Sequence, residues 1–125
     1  MKRTNFLLFI VLLINIGCKN ASKEIFIFKN KNKKIELHIP EGHVILDGET
    51  QAKIKLTNIE ANNLVVVGVG TSIKNAKKDE MNIIIRTRSS YYQNKTKYEL
   101  RVSYRAENEK VSHTFYVPFK KVIEK

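Results

Sequence analysis

Three histidines, one cysteine and a few close acidic pairs are the residues of this chain that could do chemistry. His38 and His43 flank Pro40-Glu41-Gly42, and with Glu41 they could meet a metal ion at a turn. A histidine-based zinc site needs three or four well-placed ligands, and the third histidine, His113, lies far along the chain. His38 reads as a residue of a solvent-facing strand and His113 as one filling a sheet position that also accepts an aromatic. The acidic pairs Asp79-Glu80 and Glu107 with Glu109 sit in turn-like stretches. Carboxylates that share acid and base work must converge across a cleft with their pKa values pushed apart, and neighbours on a strand or turn point apart. Serines 72, 89, 90, 103 and 112 are not framed by the Gly-x-Ser-x-Gly elbow of a hydrolase. Gly68-Val69-Gly70 begins like a dinucleotide fingerprint but lacks the third glycine and a following helix, so it reads as a bend at a strand end. The expectation is a protein that is not an enzyme, with no catalytic residue, no metal site and no cofactor.

The elements around these residues begin with the start of the chain. Lys2 and Arg3 precede nine unbroken apolar residues, Phe6 to Ile14, followed by Asn15-Ile16-Gly17 and the single Cys18. A charged start, a short apolar core and a small residue before a cut make an export signal. The run is shorter than the about 20 apolar residues that span a bilayer. With one cysteine, no intrachain disulfide can form. The segment resembles a bacterial lipoprotein signal, with Asn15 where such signals usually carry leucine. The resemblance implies that Cys18 is acylated, palmitate being the typical added chain, and becomes the mature N-terminus. Two or more acyl chains hold a protein firmly, each buried methylene adding about 0.8 kcal/mol. The expected site is the bacterial cell envelope, at the outer membrane or the periplasmic face of the inner membrane.

Removal of the first 17 of 125 residues leaves 108, enough for one domain. That remainder keeps 21 of the 23 lysines and arginines against 12 acidic residues, so it is basic. No basic cluster is interleaved with aromatics as a nucleic-acid groove would be, and no nucleic acid is expected as partner. Outside the cytoplasm, the charge points to an envelope protein, an anionic surface polymer or lipid headgroups, or serves solubility and protects strand edges.

Lys19 to Glu24 reads as a polar tether, with Ile25-Phe26-Ile27-Phe28 as a short β-like run after it. Alternation then marks Ile35, Leu37 and Ile39 as one face of a strand, and Ala52, Ile54 and Leu56 as one face of another. Asp47-Gly48 suits a tight hairpin. Leu64 to Val69 is apolar on both faces, which predicts a central strand. Gly70 to Asn82 reads as a loop or a short edge strand, and Ile83-Ile84-Ile85 as the middle of a further strand. The cleanest period joins Tyr98, Leu100, Val102, Tyr104 and Ala106, opposed after Asn108-Glu109 by Val111, His113, Phe115 and Val117. That is a long hairpin.

These signals predict an all-β fold, an immunoglobulin-like antiparallel sandwich of about seven strands preceded by a helical signal segment. The division is a leader over residues 1–17, a tether with its β-like run over 18–32, and the sandwich over 33–125. Tyr98-Glu99-Leu100-Arg101-Val102 resembles the strand of immunoglobulin-like and fibronectin type III-like domains in which a tyrosine near the start pins a corner, a role the resemblance gives to Tyr98. Paired cysteines and tryptophan are absent, so the architecture alone is implied. Strand rhythm and the closing Phe115-Tyr116-Val117-Pro118-Phe119 are similar to the periplasmic sandwich repeats of Bacteroidetes gliding and secretion motor proteins.

The functional expectation is a non-catalytic binding or structural module for an envelope partner. The alternative is a small inhibitor or immunity-type lipoprotein that blocks a toxin or hydrolase. Cys18 is the lipidation site. Arg86, Arg88, Tyr91 and Tyr92 are the candidate contacts, because arginine and tyrosine are favoured at interface centres. Tyr98, Leu100, Val102 and Phe115 are the structural positions.

Overall fold

The computed structural model describes residues 23–92 and 94–121. The leader with its expected helix, and Cys18, lie outside the described residues. Nine strands follow in order: β1 Lys23–Asn30, β2 Lys33–Pro40, β3 Val44–Leu46, β4 Glu49–Thr57, β5 Val65–Val67, β6 Thr71–Lys77, β7 Glu80–Arg86, β8 Lys97–Ala106 and β9 Glu109–Lys121. They form a five-stranded sheet, β1-β2-β4-β7-β6, and a four-stranded sheet, β3-β9-β8-β5. All pairings are antiparallel except that of β3 with β9.

The period-two patterns explain the packing. Ile35, Leu37 and Ile39 of β2, Ala52, Ile54 and Leu56 of β4, and Met81, Ile83 and Ile85 of β7 form one inner face. Tyr98, Leu100, Val102 and Tyr104 of β8, with Phe115 and Val117 of β9, form the other. Successive residues of a strand point to opposite faces, so these line the core while most of their chain neighbours face outward. The order β2-β4-β7-β6 against β9-β8-β5 is that of an immunoglobulin constant-type sandwich, four strands against three. Two additions bring the count from about seven to nine: β1 extends one sheet, and β3 joins β9 in parallel.

The run read as part of a tether is a full strand, paired with β2 from Lys23↔Pro40 to Asn30↔Lys33. Phe26 and Phe28 pack against the core, and this contact holds β1 to the sheet. Two further expectations are corrected. β5 lies at an edge, not centrally, and exposes Val65 and Val67. Asp47-Gly48 joins strands of different sheets rather than closing a hairpin, with Asp47 at φ 61°. Of the two readings of the interval after Gly70, the edge strand is the one found: most of it is β6, seven residues held by backbone bonds to β7.

Candidate functional site

All four candidate contact residues come to one end of the sandwich, but with different duties. The Thr87 amide donates to the Gly48 carbonyl at 3.3 Å, and the Thr87 hydroxyl donates to the Ile45 carbonyl at 2.9 Å. The Ser89 amide donates to Asp47 Oδ1 at 2.8 Å. These bonds seat a single 3-10 turn, Ser89–Tyr91, on the β3–β4 connection. Tyr92 is half-buried: its ring lies 4.8 Å from Phe119 and 6.1 Å from Tyr98, and its hydroxyl reaches the Val69 carbonyl at 3.4 Å. Burial, then the nearby Glu99 carboxylate, raises the Tyr92 phenol above its ordinary pKa. Arg86 Nε donates to Glu49 Oε1 at 3.2 Å across the sheet. Tyr92 and Arg86 therefore fasten the end together. Arg88 is exposed and in no ion pair among the described residues, and Tyr91 is 67% exposed.

Beneath this end lies the bend between the sheets. Tyr98, fully buried, donates its hydroxyl proton to the Val69 carbonyl at 2.9 Å. That proton being committed, Thr71 Oγ1 donates to the phenol oxygen. Burial is the main reason the phenol pKa rises to about 12, against a smaller lowering by Thr71. The hydroxyl thus pins the β5–β6 bend, not the connection leading into its own strand as in the tyrosine corner. Space explains the two glycines. A Cβ on Gly68 would meet the Tyr98 hydroxyl, with Leu100 Cδ1 at 2.9 Å, and a Cβ on Gly70, at φ +81°, would overlap the Arg86 carbonyl oxygen. Leu100, Val102 and Phe115 are buried beside Tyr98.

The histidines do not converge. His38, on the outer face of the five-stranded sheet, bonds Glu36 at 2.9 Å. Lys34 first, then His38, lowers the Glu36 carboxyl pKa by hydrogen bonding. His113 faces inward from the other sheet, stacked on Phe28 at 4.4 Å and edge-on to Phe115 at 4.7 Å. That burial lowers its pKa. Among the described residues, no three His, Cys, Asp or Glu side chains are grouped to hold a metal ion.

A second surface was not singled out by sequence reasoning. On the outer face of the four-stranded sheet, Val65 and Val67 of β5 pair with Ser103 and Arg101 of β8, and Arg105 pairs directly with Lys110 of β9. Like charges directly opposite on a sheet repel. Arg101, Arg105 and Lys110 are exposed and in no ion pair among the described residues. Beside them an open cleft of about 500 Å³ is lined by Asn63, Val65, Ser103, Tyr104, Arg105 and Lys110, with Ser103 buried. Past the bend, Val69 and Ile73 of the β5–β6 edge are also exposed apolar residues, at 58% and 54%. The available signal was the apolar run beside the outward arginines of the Tyr98 strand. Its misplacement at the sheet centre hid it.

This geometry can bind by apolar contact and positive charge. Comparison with known protein families, curated proteins and solved structures finds no match to the chain.

Proposed function

We propose that the chain is a lipid-anchored protein of the bacterial cell envelope whose sandwich is a non-catalytic binding module for an acidic envelope protein. The carrying observation is the outer face at β5. There, exposed Val65 and Val67 border the unpaired cations Arg101, Arg105 and Lys110. Exposed apolar surface rimmed by polar groups suits a protein interface, and mutually repelling cations are relieved by an incoming carboxylate. The leader ending in Gly17-Cys18 supports the anchor.

Two measurements test this reading. In cell fractionation, Cys18→Ser is expected to move the protein from the membrane fraction into an unprocessed or released form; unchanged membrane retention counts against acylation. Affinity capture from native envelope, run in parallel with Val67→Glu, is expected to lose an acidic partner in the variant and in raised salt. The exposed substitution should leave stability within about 0.5 kcal/mol. Capture indifferent to both changes rejects the β5 face. A captured hydrolase or toxin whose activity falls on binding would turn the module into an inhibitor.

A further inference from the structure

The sheet register fixes which end of the sandwich the N-terminal chain leaves. Lys23 pairs with Pro40. The next residue, Glu41, is 3.7 Å from Lys120 Nζ near the end of β9, and the neighbouring Phe119 carries the Tyr92 ring. The start of β1 therefore lies at the same end as Arg88, Tyr91 and Lys97. Five residue steps separate Lys23 from Cys18. Fully extended they reach no more than about 18 Å, whereas the ten residues of β8 run about 33 Å to the far turns. An acylated Cys18 keeps this end beside the bilayer and lets the far end stand away.

The two ends differ in their carboxylates rather than in their cations. Near the tether, the carboxylates whose side chains are described are engaged: Glu49 with Arg86, Glu99 with Lys95, Glu41 with Lys120, and Asp47 with the Ser89 amide. Arg88, which precedes the braced turn carrying exposed Tyr91, and Lys97, at the start of β8, are left exposed and in no ion pair among the described residues. At the far end, exposed Lys31, Lys77, Lys78 and Lys110 are likewise in no ion pair among the described residues, but Glu60, Asp79, Glu107 and Glu109, also in none, lie among them at or beside the turns and offset their charge toward an anionic surface.

We infer that Arg88, Tyr91 and Lys97 form a membrane-facing contact that docks the tethered end of the sandwich onto anionic lipid headgroups; this rests on the lipid-anchor reading. Tyrosine favours the headgroup layer because its ring is apolar and its hydroxyl polar. Each cation near an anionic surface gains about 1 kcal/mol. Two such contributions would not recruit a free protein. For a tethered one the encounter is intramolecular, so a weak contact suffices. With this end on the membrane, the β5 face points sideways and stays open to its partner.

The chain contains no tryptophan, so Tyr91→Trp and, at the far turn, Asn108→Trp are single-fluorophore reporters. Each protein is expressed as the full chain and purified from membranes. It is then reconstituted into vesicles of phosphatidylcholine with or without phosphatidylglycerol, containing bromine-labelled lipid. The expected result is a blue shift and strong quenching for Tyr91→Trp in anionic vesicles, and little of either for Asn108→Trp. Adding Arg88→Ala is expected to lower the ratio of docked to undocked loop about fivefold, the equivalent of about 1 kcal/mol. Membrane-held protein in which both reporters are quenched equally, or not at all, overturns the inference and leaves the anchor standing. Protein that never partitions into membranes overturns both.

Discussion

Replacing Tyr98 with phenylalanine removes one oxygen from a fully buried ring and leaves the packing in place. That oxygen donates to the Val69 carbonyl and accepts from Thr71. Two neutral hydrogen bonds at about 1 kcal/mol each put the cost near 2 kcal/mol. The second hydroxyl at Val69, from Tyr92 at 3.4 Å, is too long to take over fully. The pH dependence follows from the same burial. The phenol ordinarily titrates at 10.0 and is pushed up to about 12 in the fold. Between those values the unfolded chain gives up this proton while the folded protein keeps it. Tyr98's contribution is therefore complete below pH 10 and declines as pH rises toward 12. Two pH units correspond to at most about 2.7 kcal/mol. Urea unfolding of wild type and Tyr98→Phe at pH 8, 10, 11 and 12 gives the difference directly. The other titrating groups cancel between the two proteins. The expected gap is about 2 kcal/mol at pH 8, closing toward pH 12. A variant as stable as wild type at pH 8, or a gap flat across the series, refutes the pinning of the bend by this hydroxyl.

Gly70→Ala combines a positive φ with a Cβ that overlaps the Arg86 carbonyl oxygen. It should cost about 3 kcal/mol or more, seen as a large fall in thermal midpoint, and an unchanged melt would show that the bend can move. His113 has its pKa lowered by burial. Its neutral form is favoured in the fold, and its contribution is whole above its ordinary pKa of 6.5 and lost as pH falls through the depressed value. His113→Phe, which keeps an aromatic between Phe28 and Phe115, should flatten stability over that acid range in denaturant titrations. An identical acid profile in the variant would place the protonation elsewhere.

The alternation in β2, β4, β8 and β9 made the inner faces readable from the chain, because a half-buried strand must place every second residue in the core. The valines of β5 were readable as a strand but not as an edge. A run apolar on both faces looks the same whether its outer side meets a neighbouring sheet, a partner protein or water. β6 was hard to read because Ile73 and Ala76, its apolar residues, are themselves exposed. The loop residues Tyr91 and Tyr92 are adjacent and identical, yet one projects into solvent while the other packs on Phe119. No local feature of the chain separates them.

Local composition determined the strands, the all-β class, the glycine bend and the pattern of the N-terminal leader, since each depends on residues close together in sequence. Tertiary structure decided what those pieces face. Long-range pairing brought Lys23 to Pro40 and Val44 to Phe119, so that the start of β1, the tyrosine loop and the end of β9 share one end. Stacking of the two sheets aimed the Tyr98 hydroxyl at Val69 rather than at its own corner. Pairing also set Arg105 opposite Lys110 beside the exposed valines. Such neighbours arise from strand register and sheet order, which depend on the simultaneous burial of both inner faces.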